Sequence, residues 1–377
     1  MSEPSPIKVD LDFIKQVKSL GGDSLKKCFQ CGTCSVICKL SPEDKPFPRK
    51  EMIWSQWGLK DKLMKDPDIW LCYNCNDCSV NCPRNAKPGE VLAAVRNYSF
   101  INFAFPKFLG KALSQARYLP FLFGFPIILL LLILRGKEMP SGPILFRNFI
   151  PYEVIDIAAG IFTLLVLIAL VAGVKKFWGN LTQEMAGAPC LCSALKTYGV
   201  RVLWMIIFHE KFNECEANKI RYYAHLAIFY GFVLCLLATA ISAGGIWTEK
   251  LLFPGNESLL PPWSFFSLVK LFGNLGGLAI LLGCFLVLYN HSANKDRAGV
   301  STYPDSVFTW TILLVVITGF LTQFARMAEF AFGAYLFYSV HLIFVFFLLA
   351  YLPYSKFAHM IYRVVALVFA EYSGRKK

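Results

Sequence analysis

Eight cysteines fall in two runs of one spacing, C-x2-C-x2-C-x3-C: Cys28, Cys31, Cys34 and Cys38, then Cys72, Cys75, Cys78 and Cys82. Three thiolates this close along a chain wrap three corners of an iron–sulfur cubane, and the fourth ligand comes from elsewhere. Pro83 follows the second run, whereas Lys39 follows the first. The repeated spacing points to two [4Fe–4S] clusters. In two-cluster domains the last cysteine of each run ligates the other cluster. The expected sets are therefore Cys28, Cys31, Cys34 with Cys82, and Cys72, Cys75, Cys78 with Cys38. Structural zinc, usually held by two C-x2-C pairs, suits the pattern less well.

The chain has five histidines: His209, His225, His291, His341 and His359. An ionisable residue inside an apolar segment is a functional candidate by default. Imidazole ligates haem iron, and facing helices of a bundle supply such ligands. His341 and His359 stand 18 residues apart in SVHLIFVFFLLAYLPYSKFAHMIY. On one helix that is five turns, one face and about 27 Å, with Pro353 interrupting between them. The depth of His225 matches that of His359, so these two are expected to share one b haem near the inner face. His341 would hold a second, with Cys235 rather than a histidine at its level. His209, in VRVLWMIIFHEKFNEC, is read as structural and as a reserve ligand. His291 is read as interfacial. Two buried, hydrogen-bonded histidines are the alternative for His341 and His359.

The elements that must position these groups are helices. The stretch FPRKEMIWSQWGLKDKLMKDPDIW separates the cysteine runs as a short helical spacer. Its Trp54, Trp57 and Trp70 would shield clusters or simply pack in the core. Lys26, Lys27, Arg49, Lys50, Lys60, Lys62 and Lys65 read as a solvated surface or a docking face for an acidic partner. Six apolar segments follow, near 118–135, 153–174, 222–247, 267–290, 306–328 and 333–355. Most reach the roughly 20 residues that span a bilayer. The first, with Pro120 and Pro126, reads as a span or a re-entrant hairpin. The expected fold is all-α: a two-cluster ferredoxin-like helical domain, then a six-helix transmembrane bundle. The boundaries are 1–105 for the iron–sulfur domain and 106–152 for the linker and first span. A five-helix cytochrome b domain covers 153–362, and a basic tail 363–377.

Composition agrees. Of 377 residues, 56% are hydrophobic, too many for an ordinary soluble chain of this length. The net charge is +13. It does not indicate nucleic acid, because the basic residues lie between apolar segments. With the N-terminal domain inside and all six segments crossing, the inner loops and tail hold 17 Lys/Arg and the outer loops 5. This satisfies the positive-inside rule. The expected place is the cytoplasmic membrane, multi-pass, with the iron–sulfur domain and C-terminus cytoplasmic. MSEPSPIKVD has no apolar core of a signal peptide, and clustered cysteines in a reducing compartment bind metal more often than they pair. Cys190, Cys192 and Cys215 read as ordinary thiols. No nucleotide loop and no catalytic triad is evident.

FPRKEMIW…GLKD…DIWLCYNCNDCSVNCPR resembles the iron–sulfur C subunits of heterodisulfide reductases. The last five segments resemble the membrane cytochrome b of respiratory nitrate reductase (its gamma chain) and of heterodisulfide reductase. That family uses two histidines ten apart on one helix and two eighteen apart on its last. His225, His341 and His359 match, and Cys235 stands where the fourth would be. The fusion of both modules is similar to the C subunits of quinone-interacting membrane-bound (Qmo) oxidoreductases of sulfate reducers. That resemblance implies an electron-transfer component of a quinol-dependent oxidoreductase, with two soluble FAD/iron–sulfur partners, Qmo A- and B-like. Menaquinol would supply electrons that travel towards adenylylsulfate (APS) reductase. The reverse flow, to quinone as in heterodisulfide- or sulfite-reducing complexes, is the alternative. Arg326 and Asp156, on the outer side, are the candidates for contact with quinol or a haem propionate.

Overall fold

The computed structural model describes residues 8–212 and 218–375, so Cys215 lies outside the described residues. Those residues form helices and no strand. Eight short helical elements build the N-terminal domain around the cysteine loops, and helix α1 (Pro88–Phe103) closes it. Val91, Leu92, Ala94 and Val95 of α1 are buried against the domain.

Seven helices are long and apolar enough to cross a membrane. They are α2 (Leu119–Leu134), α3 (Tyr152–Thr182), α4 (Leu191–Phe208), α5 (Lys219–Leu252), α6 (Leu268–Ala293), α7 (Tyr303–Met327) and α8 (Ala331–Ala350). Their outward faces are apolar. On α3, Ile157, Ile161, Leu164 and Ile168 are all at least half exposed, which lipid tolerates and water does not. Helix α2 is continuous through Pro126, so it is a single helix rather than a re-entrant hairpin. Helix α3 has 31 residues, about 46 Å, well beyond the roughly 30 Å of hydrocarbon. Its surplus carries Phe177, Trp178 and Leu181 into the core of the N-terminal domain. Helices α5 and α6 touch along glycines: a Cβ on Gly231 would stand 2.8 Å from the Gly276 carbonyl. Small residues let membrane helices approach this closely.

The last apolar segment is not one helix. Helix α8 ends at Ala350, two 3-10 turns follow over Leu352–Tyr354 and Lys356–Ala358, and α9 (His359–Tyr372) starts anew. Pro353 lacks the N–H a continuing helix needs, and its ring clashes with the preceding turn. His341 and His359 thus stand on separate helices, and the five-turn geometry of a single helix does not apply.

Helix α9 returns to the N-terminal domain. Tyr362, Val365 and Phe369 share one core with Phe13, Val17, Trp70 and Phe103. The Arg375 guanidinium lies 2.6 Å from the Asp68 carboxylate. The N-terminal domain precedes α2 and α9 follows α8, so the chain crosses between them an even number of times. Helix α4 is the one that lies flat. Leu191, Ala194, Val202, Met205 and Ile206, from its first turn to its last, pack on that same shared core. Arg201 pairs with Glu371 of α9 at 3.0 Å. Its opposite face, with Val200, Leu203, Trp204 and Phe208, is apolar and exposed, as in a helix lying at a membrane surface. The other six helices remain long and apolar enough to cross.

Candidate redox site

The two cysteine runs fold alike. Gln30 and Gly32 in the first, and Asn74 and Asn76 at the equivalent places in the second, take positive φ. Each run thereby curls around a centre rather than extending. The thiols sort by their electrostatic neighbours into two quartets. Burial first, then Cys28, Cys31 and Cys82, push the Cys34 thiol up to about 11. Burial first, then Cys72 and more weakly Cys75, push Cys38 up to about 12. Burial, then Cys72, Cys75, Cys38 and Cys34, raise Cys78 well above the usual range. Cys38, Cys72, Cys75 and Cys78 also line one hollow. This grouping is the one that crossed ligand sharing would use, and Cys34 acts on Cys78 from one group to the other. Backbone N–H groups of Asn74 and Ala86 approach the sulfurs of Cys72 and Cys82 at 3.3 Å, and the Gln30 amide approaches Cys28 at 3.4 Å. Such donors tune cluster potentials.

The spacer residues divide. Trp70 is 2% exposed and belongs to the shared core, whereas Trp57 is 59% exposed. Lys26, Lys27, Arg49 and Lys62 face solvent. Lys50 instead sits among the buried carboxylates of Glu51, Asp66 and Asp68. Lys60 faces Asp10, and Lys65 reaches Glu184 at 3.1 Å. A docking face made of all seven basic residues is therefore not formed.

The loop bearing Cys72 is fastened to the membrane half. Arg363, one turn along α9 from His359, donates to the carbonyls of Trp70 (2.9 Å), Leu71 (3.1 Å) and Cys72 (3.4 Å). Its guanidinium covers the Tyr73 ring at 3.6 Å. Arg96 of α1 donates to Ile69 and Cys72, the latter at 2.8 Å. Arg221 of α5 donates to the Asn74 carbonyl. Tyr73 stacks on Phe212 at 4.9 Å, and Phe212 meets His225 edge-on at 5.4 Å.

His225 on α5 and His359 on α9 face each other with ring centroids 6.3 Å apart. An imidazole nitrogen sits about 2 Å from a first-row divalent metal. Two rings on opposite sides of one such ion would therefore have centroids roughly 6 Å apart. His359 Nδ1 donates to the Lys356 carbonyl at 2.5 Å, leaving Nε2 as its free donor atom. Arg96, Arg221, Arg363 and Lys356 all act electrostatically on this pair, complementary to anionic propionates. The donor set, spacing and charge fit a six-coordinate haem. Both nitrogens of His209 are engaged, one with Ile207 and one with His225. His291, near the end of α6, is half-buried and senses the charges of Arg221 and Lys356.

His341 lines a different cavity, of about 520 Å³, among α5, α6, α7 and α8. Its Nδ1 donates to the Val315 carbonyl at 2.9 Å, again freeing Nε2. Cys235 lines the same cavity, as its level in the sequence implied. No second imidazole lines it among the described residues, so His341 is its one imidazole there. Arg326 reaches it and donates to the Ile144 carbonyl at 3.3 Å. Asp156 lines neither this cavity nor its neighbour. The sequence reading missed Lys270, whose Nζ meets Gln323 Oε1 at 2.8 Å in the cavity wall. A lysine inside the apolar segment LVKLFGNLGG was the available signal. An adjoining hollow of about 320 Å³ among α2, α3 and α8 has an almost wholly apolar lining and shares Val345 and Leu349 with the first.

The 4Fe-4S dicluster domain family matches residues 24–86. The N-terminal part is 40% identical over 90 residues to the C subunit of the H(2):CoB-CoM heterodisulfide,ferredoxin reductase of Methanothermobacter marburgensis, 24% of this chain and 48% of that protein. The chain thus spans about half the length of that C subunit. The E subunit of the dihydromethanophenazine:CoB–CoM heterodisulfide reductase of Methanosarcina acetivorans is 25% identical over 205 residues, 52% of this chain and 72% of that protein. Citrate utilization protein B of Escherichia coli is 28% identical over 315 residues, 79% of this chain and 80% of its own. No solved structure matches. A two-cluster iron–sulfur domain is thus joined to a multi-pass membrane electron-transfer part. The family described as Citrate utilization protein B matches residues 112–377, more than half of the chain, and the chain belongs to that family.

Proposed function

We propose that this chain is the membrane component of a quinone-linked oxidoreductase. It passes electrons between menaquinol and soluble flavin/iron–sulfur partners through b haems and two [4Fe–4S] clusters. The observation that carries this reading is the join between the two halves. Arg363 and Arg96 hold the Cys72 loop, and Tyr73 stacked on Phe212 leads from it to His225.

Cys28, Cys31, Cys34 and Cys82 would hold one cluster, and Cys72, Cys75, Cys78 and Cys38 the other. His225 and His359 would hold one haem, and His341 a second from one side. These groups supply one-electron steps when bound. The chain's own residues hold them in line and keep water out. In the outer cavity Arg326 and Lys270 would face anionic propionates or the quinol head. The adjoining apolar hollow would take an isoprenoid tail, bringing the ring to the junction at Val345 and Leu349. The iron–sulfur domain and C-terminus face the cytoplasm in this reading, as the distribution of Lys and Arg favours. The resemblance to Qmo C subunits directs the electrons towards APS reductase.

Relatives of both halves in heterodisulfide reductases favour a second reading, with electrons running to quinone. The midpoint potentials of the haems against menaquinone separate the two directions. A dithionite-reduced minus oxidised spectrum, with haem and iron quantified, tests the reading itself. Haem b together with cubane iron supports the wire, and a colourless protein ends it.

A further inference from the structure

The inner histidine pair has a third imidazole beside it that the wire leaves without a role. His209 is 5% exposed and takes a left-handed backbone, φ +50°, at the C-terminal end of α4. That conformation suits glycine rather than a side-chain-bearing residue. Here it brings the His209 ring against His225. Nε2 of His209 lies 3.1 Å from Nδ1 of His225, with ring centroids 5.0 Å apart. Nδ1 of His209 lies 3.2 Å from the Ile207 carbonyl. Tyr230, on α5, donates to the same carbonyl at 2.6 Å. The Phe229 ring packs edge-on against His209 at 4.9 Å.

The proton positions follow from the partners. A carbonyl only accepts, so His209 Nδ1 carries a proton. In the neutral ring Nε2 is then bare and can only accept. The hydrogen between the rings therefore belongs to His225 Nδ1, and His225 Nε2 is left with its lone pair. His341 and His359 reach the same tautomer by donating to the carbonyls of Val315 and Lys356. His225 alone of the three uses another imidazole for this.

We propose that His209 is a positioning residue for His225. It holds the His225 proton on Nδ1, fixes the ring plane and raises the basicity of Nε2 towards iron. This rests on the reading of His225 and His359 as haem ligands. A more basic ligand favours the oxidised metal, so His209 keeps the inner potential low.

The test uses the full chain in detergent, with redox titration followed by visible and EPR spectroscopy. His209→Gly suits the left-handed backbone but removes the acceptor. His209→Gln retains an oxygen that can accept. The glycine variant is expected to keep a low-spin haem with a more positive midpoint potential and roughly 10- to 100-fold weaker haem retention. The glutamine variant is expected to stay near wild type. An unchanged potential and unchanged EPR g-values in His209→Gly overturn the proposal. So does loss of the low-spin signal in His209→Gly while His225→Ala retains it, since His209 would then be the ligand. If His225→Ala and His359→Ala both keep the wild-type haem spectrum, the ligand reading itself has failed, and the role of His209 with it.

Discussion

Arg363 stands one helical turn beyond His359 and hydrogen-bonds the carbonyl of Cys72 at 3.4 Å. One side chain thus joins the helix that presents a haem-ligand candidate to the loop that presents a cluster-ligand candidate. Arg363→Gln keeps an amide but loses the fork that spans three carbonyls. Losing a charge-assisted hydrogen bond costs about 1.5–3 kcal/mol. The expected outcome is earlier thermal loss of the EPR signal of the Cys72 cluster and slower reduction of that cluster by quinol. Unaltered kinetics and thermal loss would mean that the contact is incidental.

Crossed sharing makes a pair of opposite expectations. Cys82→Ser should remove the cluster of the first run, Cys28, Cys31 and Cys34, although Cys82 lies in the second. Cys38→Ser should remove the other. Each should halve the iron and leave a different EPR signal. If each substitution instead erased the cluster of its own run, the quartets would be wrong.

The two histidine sites should separate in the visible spectrum. His359→Ala takes one ligand from the inner pair and should abolish its low-spin α-band. His341→Ala should leave that band intact and affect only the absorbance assigned to the outer site. Identical spectra for the two variants would show that they do not serve separate haems.

Arg326 is placed to act on the outer cavity without touching the inner pair. Removing one charge-assisted hydrogen bond, about 1.5–3 kcal/mol, corresponds to roughly 10- to 150-fold in kcat/KM. Arg326→Ala should show a loss of that order with a menaquinol analogue, or a fall in haem content. If both stay at wild-type values, Arg326 is an interfacial anchor only.

What the sequence showed and hid follows from the range of each interaction. The two cluster-binding runs were legible because ligand spacing is local and repeats. The facing of His225 and His359 was legible because depth in a membrane follows from residue count along a helix. The break after Ala350 was signalled by Pro353, but a proline alone does not say whether a helix bends or ends. The His209–His225 contact was not legible, since it depends on a left-handed turn and on α4 lying flat. The flat placement of α4 in turn depends on a core assembled from both ends of the chain. Lys50 looked like a surface lysine until Glu51, Asp66 and Asp68 were folded around it. Lys270 could have been found and was overlooked because its segment was read for length rather than for its one charge. Membership in the Citrate utilization protein B family came from the comparison alone.

The shared core also sets a timetable. Trp70 and Arg363 are separated by 293 residues, yet the core around Trp70 is incomplete until α9 arrives. At about 5–20 residues per second, α9 emerges roughly 15–60 s after Trp70 has left the ribosome. Through that interval the Cys72 loop would lack the Arg363 contacts and would stay open to delivery of iron and sulfide. Docking of α9 would then cover the Cys72 side and end the interval. A late-made helix would thus act as a closing step for metallation, so that a chain halted before it is left with a greasy, unsealed face that proteases and chaperones can recognise.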